Sequence, residues 1–140
     1  MRDTAGGVSD NLDLVRSIQA DWDRGDFSSV GWAHPDIELE FADGPDAGSW
    51  SGVAGMAEGW RIFQSTWEHL RPEGTEFREV DSERVLVLIR FRGRARASGM
   101  QLGEVGSRNA SVHHIRDGKV IRLVLYWDRE RALADLGVKE

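Results

Sequence analysis

The chain has no cysteine among its 140 residues, which excludes a disulfide framework, a thiolate nucleophile, an iron–sulfur site and a cysteine-ligated zinc site. It has only two lysines against sixteen arginines, three prolines and one tyrosine. No apolar run approaches the ~20 residues a membrane span needs, and Met1 to Ser9 lacks the apolar core of a secretory signal. The expectation is a cytoplasmic protein without a membrane segment. Repeats, low-complexity tracts and long Pro/Gly/Ser linkers are missing too. The length suits one core, so residues 1–140 read as a single domain, with 1–8 as a loose tail.

What is present looks globular, with 40% hydrophobic and 30% charged residues. The net charge of −6 hides a split: residues 1–83 carry 18 acids and 6 bases, and residues 84–140 carry 6 acids and 12 bases. Six tryptophans accompany the single tyrosine.

Leu14 or Val15, Ile18 and Trp22 recur at helical spacing after a possible cap at Ser9 or Asp10, and Gly25 ends that helix. Asp26 can cap a short second helix through Trp32. Ile37, Leu39 and Phe41 alternate with Glu38 and Glu40, as in a half-buried strand, and Ala42 to Ser49 reads as a loop. From Gly52 to Leu70 the apolar residues Val53, Met56, Trp60, Phe63, Trp67 and Leu70 form one continuous helical face closed by Pro72. Strands follow over Thr75–Val80, Val85–Ala97, about Leu102–Ile115 and Val120–Trp127. Asp117-Gly118 forms the last hairpin turn. A final helix runs from Arg129 to Leu136, before Gly137.

This order predicts an α+β fold, a curved antiparallel or mixed sheet with helices on its concave face, enclosing a conical hollow. Trp22, Trp60, Phe63 and Trp67 from helices, with Leu39, Phe41 and Phe91 from strands, would line that hollow and suit a small apolar or aromatic ligand. Ordinary core packing accounts for the same pattern.

Arg90, Arg92, Arg94 and Arg96 share one strand face. Glu76, Glu79, Asp81 and Glu83 on the preceding strand are expected to pair with them, so no nucleic-acid partner is expected from an acidic chain. The four histidines lack tight ligand spacing, so no metal is expected. Gly52-Val53-Ala54-Gly55 lacks the lysine of a phosphate loop, so no cofactor is expected either.

Several segments together resemble the SnoaL-like branch of the nuclear transport factor 2 superfamily. They are Arg84-Val85-Leu86-Val87-Leu88, Arg92-Gly93-Arg94, Ser98-Gly99, Arg116-Asp117-Gly118-Lys119-Val120, Tyr126-Trp127-Asp128-Arg129, Ala132-Leu133 and Leu136-Gly137, with His34-Pro35-Asp36 entering the first strand. The resemblance implies a cone-shaped fold and a homodimer joined through sheet faces. It leaves activity open among cyclases, isomerases, hydrolases, dehydratases and non-catalytic binding or association domains.

Asp128 resembles the acid/base aspartate of catalytic branches, where desolvation would raise its pKa toward the working range. As the residue before the last helix, it can equally act as a cap. His113 and His114 point to opposite faces of one strand. The resemblance favours the face of Ala110, Val112 and His114 as pocket wall, with His114 orienting or sharing the proton of Asp128 and Tyr126 nearby. Regular pairing separates His114 from Asp128, and a bulge would change that.

Departures from the enzymes are equally informative. Leu39-Glu40-Phe41 stands where the epoxide hydrolases have Tyr-x-Asn, and Ile89-Arg90-Phe91-Arg92 supplies no Arg-x-Asp. Epoxide hydrolysis of that type is not expected. Three readings stay open: cofactor-free acid–base chemistry on an apolar or aromatic substrate, a ligand-binding or dimerisation module without catalysis, or a purely structural dimer whose hollow is filled by its own side chains.

Overall fold

The computed structural model describes residues 8–44, 47–96, 99 and 108–138. Helix α1 (Val8–Asp23) turns Val15, Ile18 and Trp22 into the core along one face. The expected helix from Asp26 to Trp32 does not form. Asp26 instead accepts hydrogen bonds from the Ser28 N–H at 3.0 Å and the Ser28 hydroxyl at 2.6 Å, a local turn that competes with helix.

Strand β1 (Ala33–Phe41) starts earlier than the alternation from Ile37 suggests, and the segment expected to be loop ends in a short edge strand, β2 (Gly48–Ser51). Helix α2 (Gly52–Thr66) buries Met56, Trp60 and Phe63. Gly59 lets it lie close to the sheet, because a Cβ there would stand 2.9 Å from Leu39 and 3.0 Å from the Trp50 ring.

The helix stops at Thr66 rather than Leu70, and the chain enters β3 (Trp67–Glu79). Trp67 and Leu70 are nonetheless both buried. His69 has a φ of 56°, and the pairing with the next strand shifts register between Glu68 and Arg71. An irregularity of this kind puts residues three apart on one face, the same spacing that a helix gives. Pro72 is accommodated because β3 is an edge strand.

Strands β4 (Arg84–Ala95), β5 (Asn109–Arg116) and β6 (Lys119–Tyr126) and helix α3 (Arg129–Leu136) complete the molecule. The expected strand start near Leu102 lies outside the described residues, as do residues 1–7. The open six-stranded sheet has the order β2-β1-β6-β5-β4-β3, with β1 and β6 parallel and the other neighbours antiparallel. This is the α+β architecture expected. One helix departs from it: α1 and α2 cover the inner face, but α3 packs Ala132 and Leu133 on the outer face against Leu86, Leu88, Val112, Val124 and Tyr126. Among the described residues, the large hydrophobics left exposed are Val30 and Ile62.

Three of the four arginines of the row, Arg92, Arg94 and Arg96, pair with carboxylates of β3, though other ones than expected. Because β3 begins at Trp67, Arg92 meets Glu73 at 3.5 Å and Arg94 meets Glu68 at 3.6 Å. Glu76 pairs with Arg78, Asp81 with Arg84 and Glu83 with Arg116. No described helix is long and apolar enough to cross a membrane.

Candidate functional site

The hairpin at Asp117-Gly118 pairs Ile115 with Val120 as a two-residue turn should, but the next pair is His114 with Arg122. Ile121 is the extra residue of a bulge. Beyond it, His113 lies opposite Leu123 and Ser111 opposite Leu125, both inner-face residues. The bulge therefore decides which histidine faces the helices. Asn109, Ser111 and His113 point inward in a row, each 0% exposed, whereas Val112 and Tyr126 pack on the outer face beside α3 and His114 shares their strand parity. The assignment of Val112, His114 and Tyr126 to a pocket wall is thus corrected. Tyr126 borders the interior cleft but donates its hydroxyl to Asp135 of α3 at 3.0 Å. Burial, then that bond, pushes its pKa up to about 12.

Over the inward row lies a continuous aromatic layer. Trp22 stacks on His113 with ring centroids 5.8 Å apart, and Trp60 meets Trp22 at 5.2 Å. Phe63 lies between Phe41 at 5.0 Å and Phe91 at 5.5 Å, while Trp67 reaches the cluster through Trp127 at 5.8 Å. Leu39 is buried in the same core. The seven apolar residues read from the sequence as hollow lining, Trp22, Leu39, Phe41, Trp60, Phe63, Trp67 and Phe91, therefore share one interior. Their rings fill it. The cleft left among Phe41, Phe63, Phe91, Leu125 and Trp127 is about 10 Å³, room for about one water molecule.

This apolar interior holds several polar atoms without partners. The Nε1–H groups of Trp60 and Trp67, the Ser111 hydroxyl and both ring nitrogens of His113 are buried and make no hydrogen bond. Such groups are normally satisfied, and each is costly when left alone. The buried polar residues described are Asn11, Gln19, Asn109, Ser111 and His113, none of them charged at neutral pH. Burial, with the neighbouring His114 adding to it, holds the His113 pKa down to about 3. His113 is thus a neutral imidazole with one donor and one acceptor on offer. Burial, followed by Arg122, also lowers the pKa of His114, on the opposite face.

Asp128 occupies a different environment from the desolvated one expected of it. It is exposed and caps α3, accepting from the Glu130 N–H at 3.0 Å. Asp128 and His114 therefore do not form an acid–base pair at the hollow. Replacing Asp128 by alanine should lower stability by about 1 kcal/mol, the usual cost of a lost cap, as read by urea unfolding. An effect near zero would show that the cap contributes little.

Residues not singled out from the sequence complete the mouth. Asp43 accepts from the backbone N–H of Trp127 at 2.6 Å and of Asp128 at 3.3 Å. Asn109 donates to the Trp127 carbonyl at 2.9 Å and accepts from the Phe91 N–H at 3.3 Å. A lone aspartate in a Gly-containing loop carries no sequence signal for such a role. For Ser111 and His113 the alternation did provide one, since they share a face with Asn109, but the bulge reversed which face that was. Among the described residues no group of three His, Cys, Asp or Glu is placed to hold a metal.

The model of the SnoaL-like domain family matches residues 15–123. The chain belongs to the SnoaL-like family. Solved structures agree on the fold of this SnoaL-like protein. A nuclear transport factor 2-like protein of unknown function from Burkholderia pseudomallei superposes with a TM-score of 0.72 at 20% identity, covering 89% of this chain and 95% of that one. A nuclear transport factor 2-like protein from Burkholderia xenovorans gives 0.69 at 26% identity, covering 92% and 96%. TerC, co-crystallised with polyporic acid, gives 0.66 at 23% identity, covering 90% and 96%. No curated protein matches the SnoaL-like chain significantly.

Proposed function

We propose that this SnoaL-like protein binds a small, neutral, flat and largely apolar molecule that carries a hydrogen-bond acceptor, in the hollow between the β5 row and the aromatic layer. The observation that carries this reading is a group of unpartnered buried polar atoms, Trp60 and Trp67 Nε1–H, the Ser111 hydroxyl and the His113 imidazole; Gln19 Oε1 and Glu79 Oε2 are unpartnered as well, toward α1 and the end of β3. Indole N–H groups can only donate, so an acceptor is what they lack. Neutrality follows from the row itself: the polar residues buried as a whole, Asn109, Ser111 and His113 among them, carry no charge to balance an ion, and the one buried unpartnered carboxylate oxygen among the described residues, that of Glu79, belongs to a half-buried residue at the end of β3. Flatness is favoured because the side chains around the row are aromatic rings, whose faces and edges pack best against another flat ring.

Binding fits the site better than proton transfer does. A histidine held near pKa 3 is a weak base at neutral pH, and Asp128 with His114 is not assembled there. TerC, which shares the fold, was crystallised with polyporic acid, in keeping with the capacity of this fold for small organic ligands.

The test is a fluorescence titration with 6-propionyl-2-dimethylaminonaphthalene, a neutral, planar, carbonyl-bearing probe, against the anionic 8-anilinonaphthalene-1-sulfonate. Saturable blue-shifted binding of the neutral probe is expected, with weaker binding of the anion. Ser111→Ala and His113→Leu, checked for folding by circular dichroism, should each weaken the neutral probe about tenfold, the worth of one hydrogen bond to a buried group. Absence of saturable binding, or equal affinity for both probes in every form, would overturn the reading.

A further inference from the structure

The cleft that the described residues leave beside Trp127, about 10 Å³, cannot seat even a single aromatic ring, so a ligand that enters there must displace an occupant that can leave. We propose that the indole of Trp127 is that occupant, a side chain sitting in the ligand's seat and displaced when the ligand enters. The proposal rests on the binding reading above and names the residue that controls access to the end of that interior beside Trp67.

Trp127 combines a fixed backbone with a side chain free of hydrogen bonds to the protein. Its N–H is held by Asp43 and its carbonyl by Asn109, at 2.6 and 2.9 Å. The chain thus stays in place while the side chain turns about its own torsions, a change between staggered wells that needs no loop to unfold. The indole packs inward on Phe91 at 5.3 Å, Trp67 at 5.8 Å and Phe63 at 6.2 Å, and it remains only half-buried. Trp22, Trp60 and Trp67, by contrast, are at most 9% exposed. Trp50, against Phe41 at 5.3 Å, is partly exposed too, but of the two Trp127 is the one that borders the cleft.

Gly44 shows how closely the seat is filled. It lies against the indole at a φ of 89°, and a Cβ built on it would fall 1.6 Å from Cδ1 of Trp127. The absence of a side chain at position 44 is what lets the indole close the mouth. With the indole out, the vacated space would be bounded by Phe63, Phe91 and Trp67, beside one of the unpartnered indole N–H groups.

The expected effect runs against intuition, since removing an aromatic wall weakens binding but removing a competitor strengthens it. Trp127→Ala should bind the neutral naphthalene probe about tenfold more tightly and associate faster, because the closed population no longer competes. Gly44→Ala, which forces the indole off, should shift affinity the same way while keeping every ring. A second readout needs no ligand. Exchange of the Trp67 indole proton, followed by NMR in 15N-labelled protein, should quicken about tenfold in both variants while the Trp60 indole proton and the backbone amides of β4 and β5 keep wild-type protection. Weaker or unchanged probe binding in both variants, or indole exchange that follows the amides, would overturn the proposal even if the wild type binds the probe. Faster indole exchange with no probe binding in any form would support the displaceable indole and overturn the binding reading instead.

Discussion

Trp22→Ala is expected to remove about 3–5 kcal/mol of folding free energy, the cost of deleting a large aromatic side chain from a packed core. Trp22 is 2% exposed and touches four other rings: Phe27 at 6.1 Å, Trp32 at 6.2 Å, Trp60 at 5.2 Å and His113 at 5.8 Å. It is where α1, the irregular segment after it, α2 and β5 meet. Its loss leaves a void that these elements, fixed by their own contacts, close only in part. Since domains of this size are stable by about 5–15 kcal/mol in total, the variant should lie near the edge of folding at 37 °C. Urea unfolding followed by far-UV circular dichroism gives the number. A loss below about 1 kcal/mol would mean that the aromatic layer repacks freely.

The acid sensitivity of the protein is expected to depend strongly on His113. In the unfolded chain a histidine titrates near 6.5, about the ordinary value, whereas burial holds the folded imidazole at about 3. Between those values the unfolded state takes up a proton that the folded state refuses. Stability is therefore fully present above about pH 6.5 and falls as pH drops toward about 3, by at most ~1.4 kcal/mol per unit. The groups packed on the imidazole are the Trp22 ring from α1, Val85 from β4 and Leu123 from β6, none of which carries charge, and its chain neighbour His114 disfavours protonation further. His113→Leu removes this dependence. Relative to the wild type, it should gain about 2 kcal/mol between pH 6.5 and 5, as read by urea unfolding at each pH. Parallel curves would mean that the folded protein lets His113 protonate.

The architecture was largely legible because it rests on long periodic segments. Val15, Ile18 and Trp22, the stripe from Met56 to Phe63, and the Asp117-Gly118 turn all do what their spacing implies. The departures have a common physical source. Trp67 and Leu70 continue the helical count, yet the irregularity around His69 gives a strand the same three-residue step. Ile121 inserts one residue into β6 and reverses the parity that links the two histidines to the faces of the sheet. A bulge costs one residue and leaves no compositional trace, so periodicity alone cannot locate it. The hollow was legible as a set of aromatic residues but not as a closed space, because whether rings meet or leave a gap depends on fractions of an ångström. The carboxylate of Asp43 was hidden for a different reason, since its partners are backbone groups more than eighty residues away.

The parallel pairing of β1 with β6 also governs the order in which the molecule can be assembled. Residues 38–41 take their partners from 122–125, and β1 touches no strand of the larger half of the sheet except β6. While the chain is being synthesised, the edges of β1 and β4 that will take β6 and β5 have no strand to pair with. Helix α2 already links the β1–β2 pair to the β3–β4 hairpin through Phe63 and Phe91, but the sheet becomes continuous only when β6, the last of its strands to be made, pairs with β1 on one side and β5 on the other. A chain cut just before Lys119 would keep every aromatic residue but Tyr126 and Trp127 and would lack the strand that joins β1 to β5, so completion of the sheet is late, dominated by distant contacts and correspondingly slow.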